Sequence, residues 1–83
     1  MRYIKKYNNR KLYDAIEKRY VILSEVQEFI EQGQTVQVVD QTNSEDVTAN
    51  VLLQTLLIMA KDNPPTSEQL HNAVKKGGFK EVL

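Results

Sequence analysis

The sequence predicts a small α+β domain, in which an antiparallel sheet built from two hairpin-like units packs with two helices in the order ββ-β-α-ββ-α. Three observations indicate this fold class. The 83 residues make one small domain, and 41% of them are hydrophobic, which is enough for a core. Short runs rich in tyrosine and β-branched residues alternate with stretches of helical periodicity. A further helix is predicted in the C-terminal tail.

The first three strands are expected within the N-terminal quarter of the chain. Residues 3–7 and 10–14 are rich in Tyr, Ile and Leu and flank Asn8 and Asn9. Because asparagine tolerates positive φ angles, a two-residue hairpin turn is predicted there. Residues 19–23 form a third short run of the same type.

The first helix is predicted to begin at Ser24. The Ser24 hydroxyl can cap the Gln27 amide while the Gln27 side chain reaches back, which is a capping box. Val26 and Phe29 belong to one apolar stripe at helical spacing, and Gly33 is a favourable residue just after a helix end.

The second hairpin-like unit begins with the β-branched run at residues 36–40. A Gln-Thr-Asn-Ser cluster predicts a turn, and residues 45–47 are expected to return as a short strand. Thr48 or Asp46 can then cap the second helix, which is predicted to continue to about Lys61.

The second helix is apolar on several faces, which predicts burial on more than one side. Two interpretations are open, a central core helix and a helix shared with a second subunit. The second is preferred because so short a chain has little mass with which to cover the helix. The residues predicted to form this homo-oligomer interface are Val51, Leu52, Leu53, Leu56, Leu57 and Met59.

Consecutive prolines at residues 64–65 predict a boundary, because two prolines cannot continue a helix. We therefore expect a domain over residues 3–62, followed by a linker and tail helix over residues 63–83. Thr66 and Gln69 form the capping box of that tail helix.

Little in the composition favours catalysis or metal binding. The chain has no cysteine, so disulfides, thiolate zinc sites and a cysteine nucleophile are excluded. His71 is the only histidine and has no evident catalytic partner, and Asp40 and Asp46 flank a turn, where carboxylates usually bond their own backbone. The sequence therefore predicts a protein that is not an enzyme and uses no cofactor or metal.

The chain also lacks the patterns of membrane or secreted proteins. Its longest apolar run, residues 56–60, is far shorter than the ~20 residues that span a bilayer. The N-terminus has no apolar stretch of a secretory signal. A soluble cytoplasmic protein is expected.

Charge is distributed unevenly although the net charge is zero. Residues 1–20 hold seven bases and two acids, a net charge of +5, and residues 21–83 hold four bases and nine acids, a net charge of −5. This asymmetry indicates an anion-binding segment on an acidic body, although a basic end that is merely solvated gives the same count.

Bases, tyrosines and asparagines interleave along the predicted hairpin. With a two-residue turn, Lys6 would lie opposite Lys11, and a bound polyanion would relieve their repulsion. The first helix is acidic, so contact with double-stranded DNA is expected from the hairpin, as in ribbon-type readers. Single-stranded nucleic acid is an open alternative because Tyr3, Tyr7 and Tyr13 offer stacking surfaces.

Five segments of the chain carry a family resemblance. They resemble the N-terminal DNA-binding domain of the polyhydroxyalkanoate (PHB) synthesis and accumulation regulators, and the similarity covers roughly residues 3–60. The segments are residues 4–14, 19–23, 38–40, 45–48 and 51–54.

The resemblance implies a bacterial cytoplasmic transcriptional repressor of polyester granule genes, one that binds both DNA and the polyhydroxyalkanoate polymer and is released from DNA by the polymer. The chain departs from the family pattern at Asn8, where proline is usual, and at Ala49, where a base is common. Its tail from Asp62 also differs from the family's longer C-terminal region.

Together these observations predict a DNA-binding module whose main contacts come from Lys6, Arg10 and Lys11. Lys5 and Arg19 are expected on phosphates. The alternative is a protein- or polymer-interaction module of the same family with a solvated hairpin. The full set of predicted DNA-contacting residues is Lys5, Lys6, Tyr7, Asn8, Asn9, Arg10, Lys11, Tyr13 and Arg19.

Overall fold

The computed structural model describes residues 1–78 and confirms the α+β class. The strands are β1 (Arg2–Lys6), β2 (Leu12–Asp14), β3 (Arg19–Val21) and β4 (Val36–Asp40). The helices are α1 (Leu23–Glu31), α2 (Thr48–Asp62) and α3 (Ser67–Lys75).

The four strands form one sheet in the order β3-β2-β1-β4. The first three strands are antiparallel neighbours, with Ile4 opposite Asp14 and Tyr13 opposite Tyr20. The sheet is nevertheless mixed and not purely antiparallel as expected, because β4 pairs parallel to β1. α1 carries the chain from the β3 edge to the opposite edge and so delivers β4 in the same direction as β1.

The second hairpin-like unit is shorter than the sequence suggests. Residues 45–47 form only one isolated bridge, between Val39 and Asp46, instead of a strand. The Val38 amide donates to the Thr48 hydroxyl at 2.8 Å. The ladder therefore ends where α2 begins, which leaves no room for a returning strand.

The core lies between one face of the sheet and the two helices α1 and α2. Every strand contributes at least one buried apolar residue to it, in keeping with the alternation of side chains along a strand. We call the opposite side of the sheet the open face. The buried core residues are Ile4, Leu12, Val21, Val26, Phe29, Val36, Val38 and Val51.

Two of the three predicted helix caps are wrong and one is confirmed. α2 begins at Thr48 with Val47 as its N-cap residue and no side-chain cap, so neither Thr48 nor Asp46 occupies the cap position.

α1 begins at Leu23 with Ile22 as its N-cap residue, and it has no side-chain cap because isoleucine has no side-chain acceptor. The Ile22 carbonyl accepts the first helical bonds, from the amides of Glu25 and Val26. Ser24 therefore lies inside the first turn. The capping box of α3 is present, with the Gln69 amide donating to the Thr66 hydroxyl at 3.1 Å.

Arg2 and Asp14 lock one end of the β1–β2 ribbon, which we call the anchored end. Asp14 is 0% exposed and accepts from Arg2 at 2.9 Å and from the amides of Ile16 and Glu17 at 2.8 and 3.0 Å. The Arg2 guanidinium also lies 4.2 Å from the centroid of the Phe29 ring. A charged carboxylate is stable in the interior of a protein only when it is hydrogen-bonded and paired with an opposite charge, as Asp14 is here.

The tail helix α3 contributes no buried residue to the core. Every residue of α3 is exposed. Residues 79–83 of the predicted tail lie outside the described residues, and the boundary at residues 62 and 63 stays a prediction. Among residues 1–78 we find no helix with the length and apolar character needed to cross a membrane.

Candidate nucleic-acid interface

The loop at the other end of the ribbon, which we call the open end, has three residues and not the two expected. The Tyr7 amide donates to the Lys11 carbonyl at 3.0 Å, and the Arg10 amide donates to the Tyr7 carbonyl at 2.9 Å. Arg10 has a φ of 64°, the left-handed conformation that completes a turn followed by a bulge. The Asn9 side chain holds this turn by accepting from the Lys11 amide at 3.1 Å.

The longer loop changes the register predicted for the hairpin. Lys6 lies opposite Leu12, and Tyr7 lies opposite Lys11. The predicted pairing of Lys6 with Lys11 is therefore wrong. Lys6 shares the helix side of the ribbon with Leu12, whereas Lys11 reaches the open face, where its Nζ lies 5.3 Å from the centroid of the Tyr20 ring.

The tip of the hairpin is tied to the loop after β4. The Thr42 hydroxyl donates to Asn8 Oδ1, and the Gln41 amide donates to the Lys6 carbonyl at 2.8 Å. A shallow cleft of about 410 Å³ lies between the two loops and is lined by Tyr7, Asn8, Asn9, Gln41 and Thr42. The tip is thus positioned by a neighbouring loop.

Four basic side chains surround the open end. Lys5 lies on the open face opposite Tyr13, and Arg10 is part of the exposed loop. Among residues 1–78 the ion pairs involve only Arg2 and Arg19, so these four bases have no carboxylate partner there. The four bases are Lys5, Lys6, Arg10 and Lys11.

The remaining arginine of the predicted site is engaged within the chain. Arg19 donates to Glu25 and, at 2.9 Å, to Glu17. These bonds raise the pKa of Arg19 above its ordinary value, with Glu25 the larger cause. The charge of Arg19 is thus already paired on the helix side of the sheet. Arg19 lies on β3, and Lys5 lies on β1, on the other side of β2.

An apolar groove of about 980 Å³ separates the ribbon from the helices. Leu12, Val21 and Val51 contribute to its lining, and Lys6, Arg10 and Lys11 also line it. The bases of the open end therefore border an apolar surface on the helix side and the open face of the sheet on the other.

The second helix divides into a buried and an exposed side. Val51 is 2% exposed and belongs to the core of this chain, and Leu52 is partly buried against it. Of the other residues predicted at an oligomer interface, Leu57 is 58% exposed. Leu53, Leu56 and Met59 are exposed with it.

The residues considered for catalysis are not brought together. His71 bonds within its own helical turn, where Nδ1 donates to the Ser67 carbonyl oxygen at 2.7 Å. Asp46 accepts from the Thr48 amide at 2.9 Å, and bonds to Thr48 lower the pKa of Asp46. Within residues 1–78 no group of three histidine, cysteine or carboxylate side chains is placed to hold a metal ion.

Comparison with known proteins identifies one family. The sequence model of one protein family, the PHB/PHA accumulation regulator DNA-binding domain, matches residues 3–63 of this chain. This match confirms the resemblance predicted from the sequence. No solved structure matches the chain.

Two relatives each match the chain over 56 residues. A protein of Allochromatium vinosum named only as uncharacterized is 45% identical over 56 residues, covering 68% of this chain and 37% of that protein. A Thiocystis violacea protein, named as an uncharacterized protein in the phbA 5′ region, is 43% identical over 56 residues, covering 68% of this chain and 41% of that protein. The chain thus matches about two fifths of each relative.

Proposed function

We propose that this chain, which belongs to the family of PHB/PHA accumulation regulator DNA-binding domains, binds double-stranded DNA through the open end of its β1–β2 ribbon. The observation that carries the proposal is the set of four bases at that end, Lys5, Lys6, Arg10 and Lys11, whose charges have no internal partner among residues 1–78. Unpaired bases are free to neutralise phosphates.

The shape and charge of the other elements favour the ribbon as the docking element. A two-stranded ribbon fits the major groove of B-DNA, which is about 12 Å wide. α1 carries Glu25, Glu28 and Glu31, which a phosphate backbone would repel, and α2 has no base before Lys61. The DNA therefore meets the hairpin and not a recognition helix.

The position of each side chain suggests its role. Arg10 lies at the tip, where its guanidinium can bond a guanine edge in the groove. Lys5, Lys6 and Lys11 flank the tip and are placed for the phosphates on either side. Asn9 holds the turn.

Tyr7, Asn8 and Tyr13 line the same end and supply contact surface to sugars and bases. Arg19 contributes less, because its guanidinium already bonds two carboxylates. Those pairs are exposed and weak, so an approaching phosphate can still exchange for them.

The proposed biological role is repression of polyhydroxyalkanoate synthesis and granule genes in a bacterial cytoplasm. It is supported by the family, and by a relative whose name places it in the phbA 5′ region. Binding of the polyhydroxyalkanoate polymer is proposed on the family resemblance alone. A regulatory role of this kind requires no catalysis.

We further propose that two copies associate through the exposed side of α2. Leu53, Leu56, Leu57 and Met59 leave the surface of the single chain apolar there, and large apolar patches on soluble proteins mark interaction sites. A two-fold dimer would present two hairpins, so its operator would contain two half-sites separated by whole turns of DNA.

Sedimentation tests the dimer directly. The parent chain should sediment as a dimer at tens of micromolar, and Leu57→Glu should give a folded monomer of 9.6 kDa. Leu70→Glu, on the exposed α3, is the matched control and should stay dimeric. A parent that is monomeric at that concentration would overturn the proposed interface.

DNA binding is tested by fluorescence anisotropy over a salt series, with labelled duplexes. The variant Lys6→Ala/Arg10→Ala/Lys11→Ala should bind more weakly, with a slope of log K against log salt shallower by about 0.9 for each phosphate that is no longer neutralised. The control Lys61→Ala/Lys75→Ala/Lys76→Ala removes three exposed charges elsewhere and should retain most of the affinity.

Two outcomes contradict the proposal. One is a folded hairpin variant that binds duplex as tightly as the parent. The other is a parent that binds no duplex at low salt, which would favour the alternative of a protein- or polymer-interaction module.

A further inference from the structure

The open face of the sheet carries an exposed aromatic pair. Tyr13 on β2 and Tyr20 on β3 are cross-strand neighbours whose ring centroids lie 5.4 Å apart at an interplanar angle of 75°. Tyr20 is 58% exposed, and β3 is an edge strand. Edge-to-face contact stabilises the pair but leaves a large part of the Tyr20 ring uncovered.

Two lysines flank this pair. Lys5 lies directly opposite Tyr13 on β1, and Lys11 Nζ lies 5.3 Å from the Tyr20 centroid, within the range of a cation–π contact. We call Lys5, Lys11, Tyr13 and Tyr20 the tyrosine face. It joins π surfaces to positive charge over two adjacent strand pairs.

The carboxylates placed around the tyrosine face are hydrogen-bonded. Asp46 bridges to Val39, which lies opposite Lys5, so Asp46 is about 10 Å from Lys5 and about 19 Å from Tyr20 at ordinary strand spacing. Its carboxylate accepts from the Thr48 amide and from the Gln37 side chain. Glu17 and Glu25 bond Arg19, whose side chain points to the other side of β3 from that of Tyr20. A polyanion can therefore approach Tyr20 and Lys11 with these three carboxylates already bonded to other groups.

We propose that the tyrosine face binds single-stranded nucleic acid, with an unpaired base stacked on Tyr20 and the adjoining phosphates held by Lys11 and Lys5. Bases stack on aromatic side chains irrespective of sequence, since every base has a π surface. Paired bases in a duplex do not offer that surface. This activity therefore goes beyond the proposed duplex binding, although both ligands would share the two lysines.

The test compares Tyr20→Leu with Tyr20→Phe in the full chain. The probe is a labelled oligothymidylate of about 12 nucleotides, which matches the site size of small single-strand binders. We expect Tyr20→Leu to lose about tenfold or more in affinity, as stacking losses predict, and Tyr20→Phe to bind like the parent. Because Tyr20 is exposed on an edge strand, Tyr20→Leu should still fold, which circular dichroism checks.

Tyrosine emission gives a second readout. The chain has four tyrosines and no tryptophan, so quenching of its intrinsic fluorescence reports stacking on tyrosine. The oligothymidylate should quench the parent and quench Tyr20→Leu distinctly less. Leu70→Ala, on the exposed surface of α3, is the control variant and should change neither affinity nor quenching.

The outcomes separate this inference from the proposed function. Tyr20→Leu should bind duplex DNA as the parent does, because Tyr20 lies on β3 outside the hairpin. If the parent binds the oligothymidylate but does not bind duplex DNA, only the proposed function is overturned. The inference is overturned if the parent does not bind the oligothymidylate, or if Tyr20→Leu binds it as tightly as the parent.

Discussion

The two ends of the β1–β2 ribbon differ in how their arginines are bonded: Arg2 is paired within the chain, and Arg10 is exposed and has no ion pair among residues 1–78. At the anchored end, Arg2 bonds Asp14 and Gln34 and covers Phe29. At the open end, Arg10 lies in an exposed loop in a left-handed conformation. A basic segment is therefore not one functional unit, because its charges serve the fold at one end and remain available to a ligand at the other.

The largest effect is expected from breaking the anchored end. Asp14→Ala removes the acceptor for Arg2 and for two backbone amides, so it should lower the free energy of unfolding by about 3–5 kcal/mol, the usual cost of leaving half of a buried ion pair. Urea denaturation at one fixed protein concentration measures the change, because an oligomer's stability depends on concentration.

The control for the anchored end is Glu17→Ala. Glu17 lies 3.5 Å from Arg2 and also pairs with Arg19, but its side chain is 42% exposed, so its removal should cost less than about 1 kcal/mol. If Asp14→Ala does not fold, Asp14→Asn retains an acceptor for the backbone amides and should lie between the two. Equal free energies of unfolding for Asp14→Asn, Glu17→Ala and the parent would show that the Arg2–Asp14 pair does not stabilise the fold.

At the open end, stability and binding should move in opposite directions. Glycine adopts the φ of Arg10 without the cost of about 1–2 kcal/mol that an L-residue bears there, and gives back about 0.5–1 kcal/mol through the freer unfolded chain. Arg10→Gly should therefore raise the free energy of unfolding by up to about 1 kcal/mol, which urea denaturation measures. The same variant should lose roughly 1–3 kcal/mol of DNA-binding free energy for each base contact.

Arg10→Ala separates the two contributions. It keeps the backbone strain and removes the guanidinium, so it should lose the same DNA affinity without any gain in stability. Binding is measured on a duplex selected with the parent protein. An Arg10→Gly variant that is less stable than Arg10→Ala, or that binds like the parent, would contradict this division between strain and recognition.

The sequence predicts the elements of the two ends better than their pairing. Strand positions, the α3 cap and the apolar character of α2 follow from local patterns. The three-residue loop was not predicted, because Asn8 and Asn9 suit a two-residue turn and nothing local shows that Arg10 takes the positive φ. One extra loop residue then moved Lys6 from Lys11 to Leu12.

Other features depend on contacts distant in the chain. The parallel pairing of β4 with β1 joins Arg2 to Val36 and Lys6 to Asp40, far apart in the sequence, which no local pattern reveals. The charge count of the basic segment could not distinguish Arg2 from Arg10, because the partner of Arg2 is set by the strand register. Asp14 lies opposite Ile4, so Arg2 is its diagonal neighbour on the same face of the ribbon. An arginine and an aspartate in such a diagonal position across a predicted hairpin are the signal that could have found the anchored end.

A smaller effect is expected from Asp46, next to the loop that supports the hairpin tip. Bonds to Thr48 lower the pKa of Asp46 below its ordinary value, so its charge contributes stability above that value, and the contribution is lost as the pH falls through the lowered pKa. The parent should therefore be more stable than Asp46→Asn at neutral pH.

That difference should shrink on acidification, because protonated aspartate and asparagine are both neutral acceptors. Thermal unfolding of both proteins between neutral pH and about pH 3 covers the ordinary carboxylate pKa and the region below it. A gap that stays constant or widens as the pH falls would show that the asparagine acts through its shape and not through the missing charge.

The smallest effect is expected from removing the tail, whose described residues, 63–78, are all exposed. Truncation after Asp62 removes no buried residue of that described part and should leave the urea midpoint and duplex affinity unchanged. Val74→Asp, a substitution on the exposed surface of α3, should be equally silent. If truncation abolishes cooperative unfolding while Val74→Asp does not, the tail supports the fold through its backbone or its partner contacts, and the stability of the domain then depends on a third region besides the two ends of the ribbon.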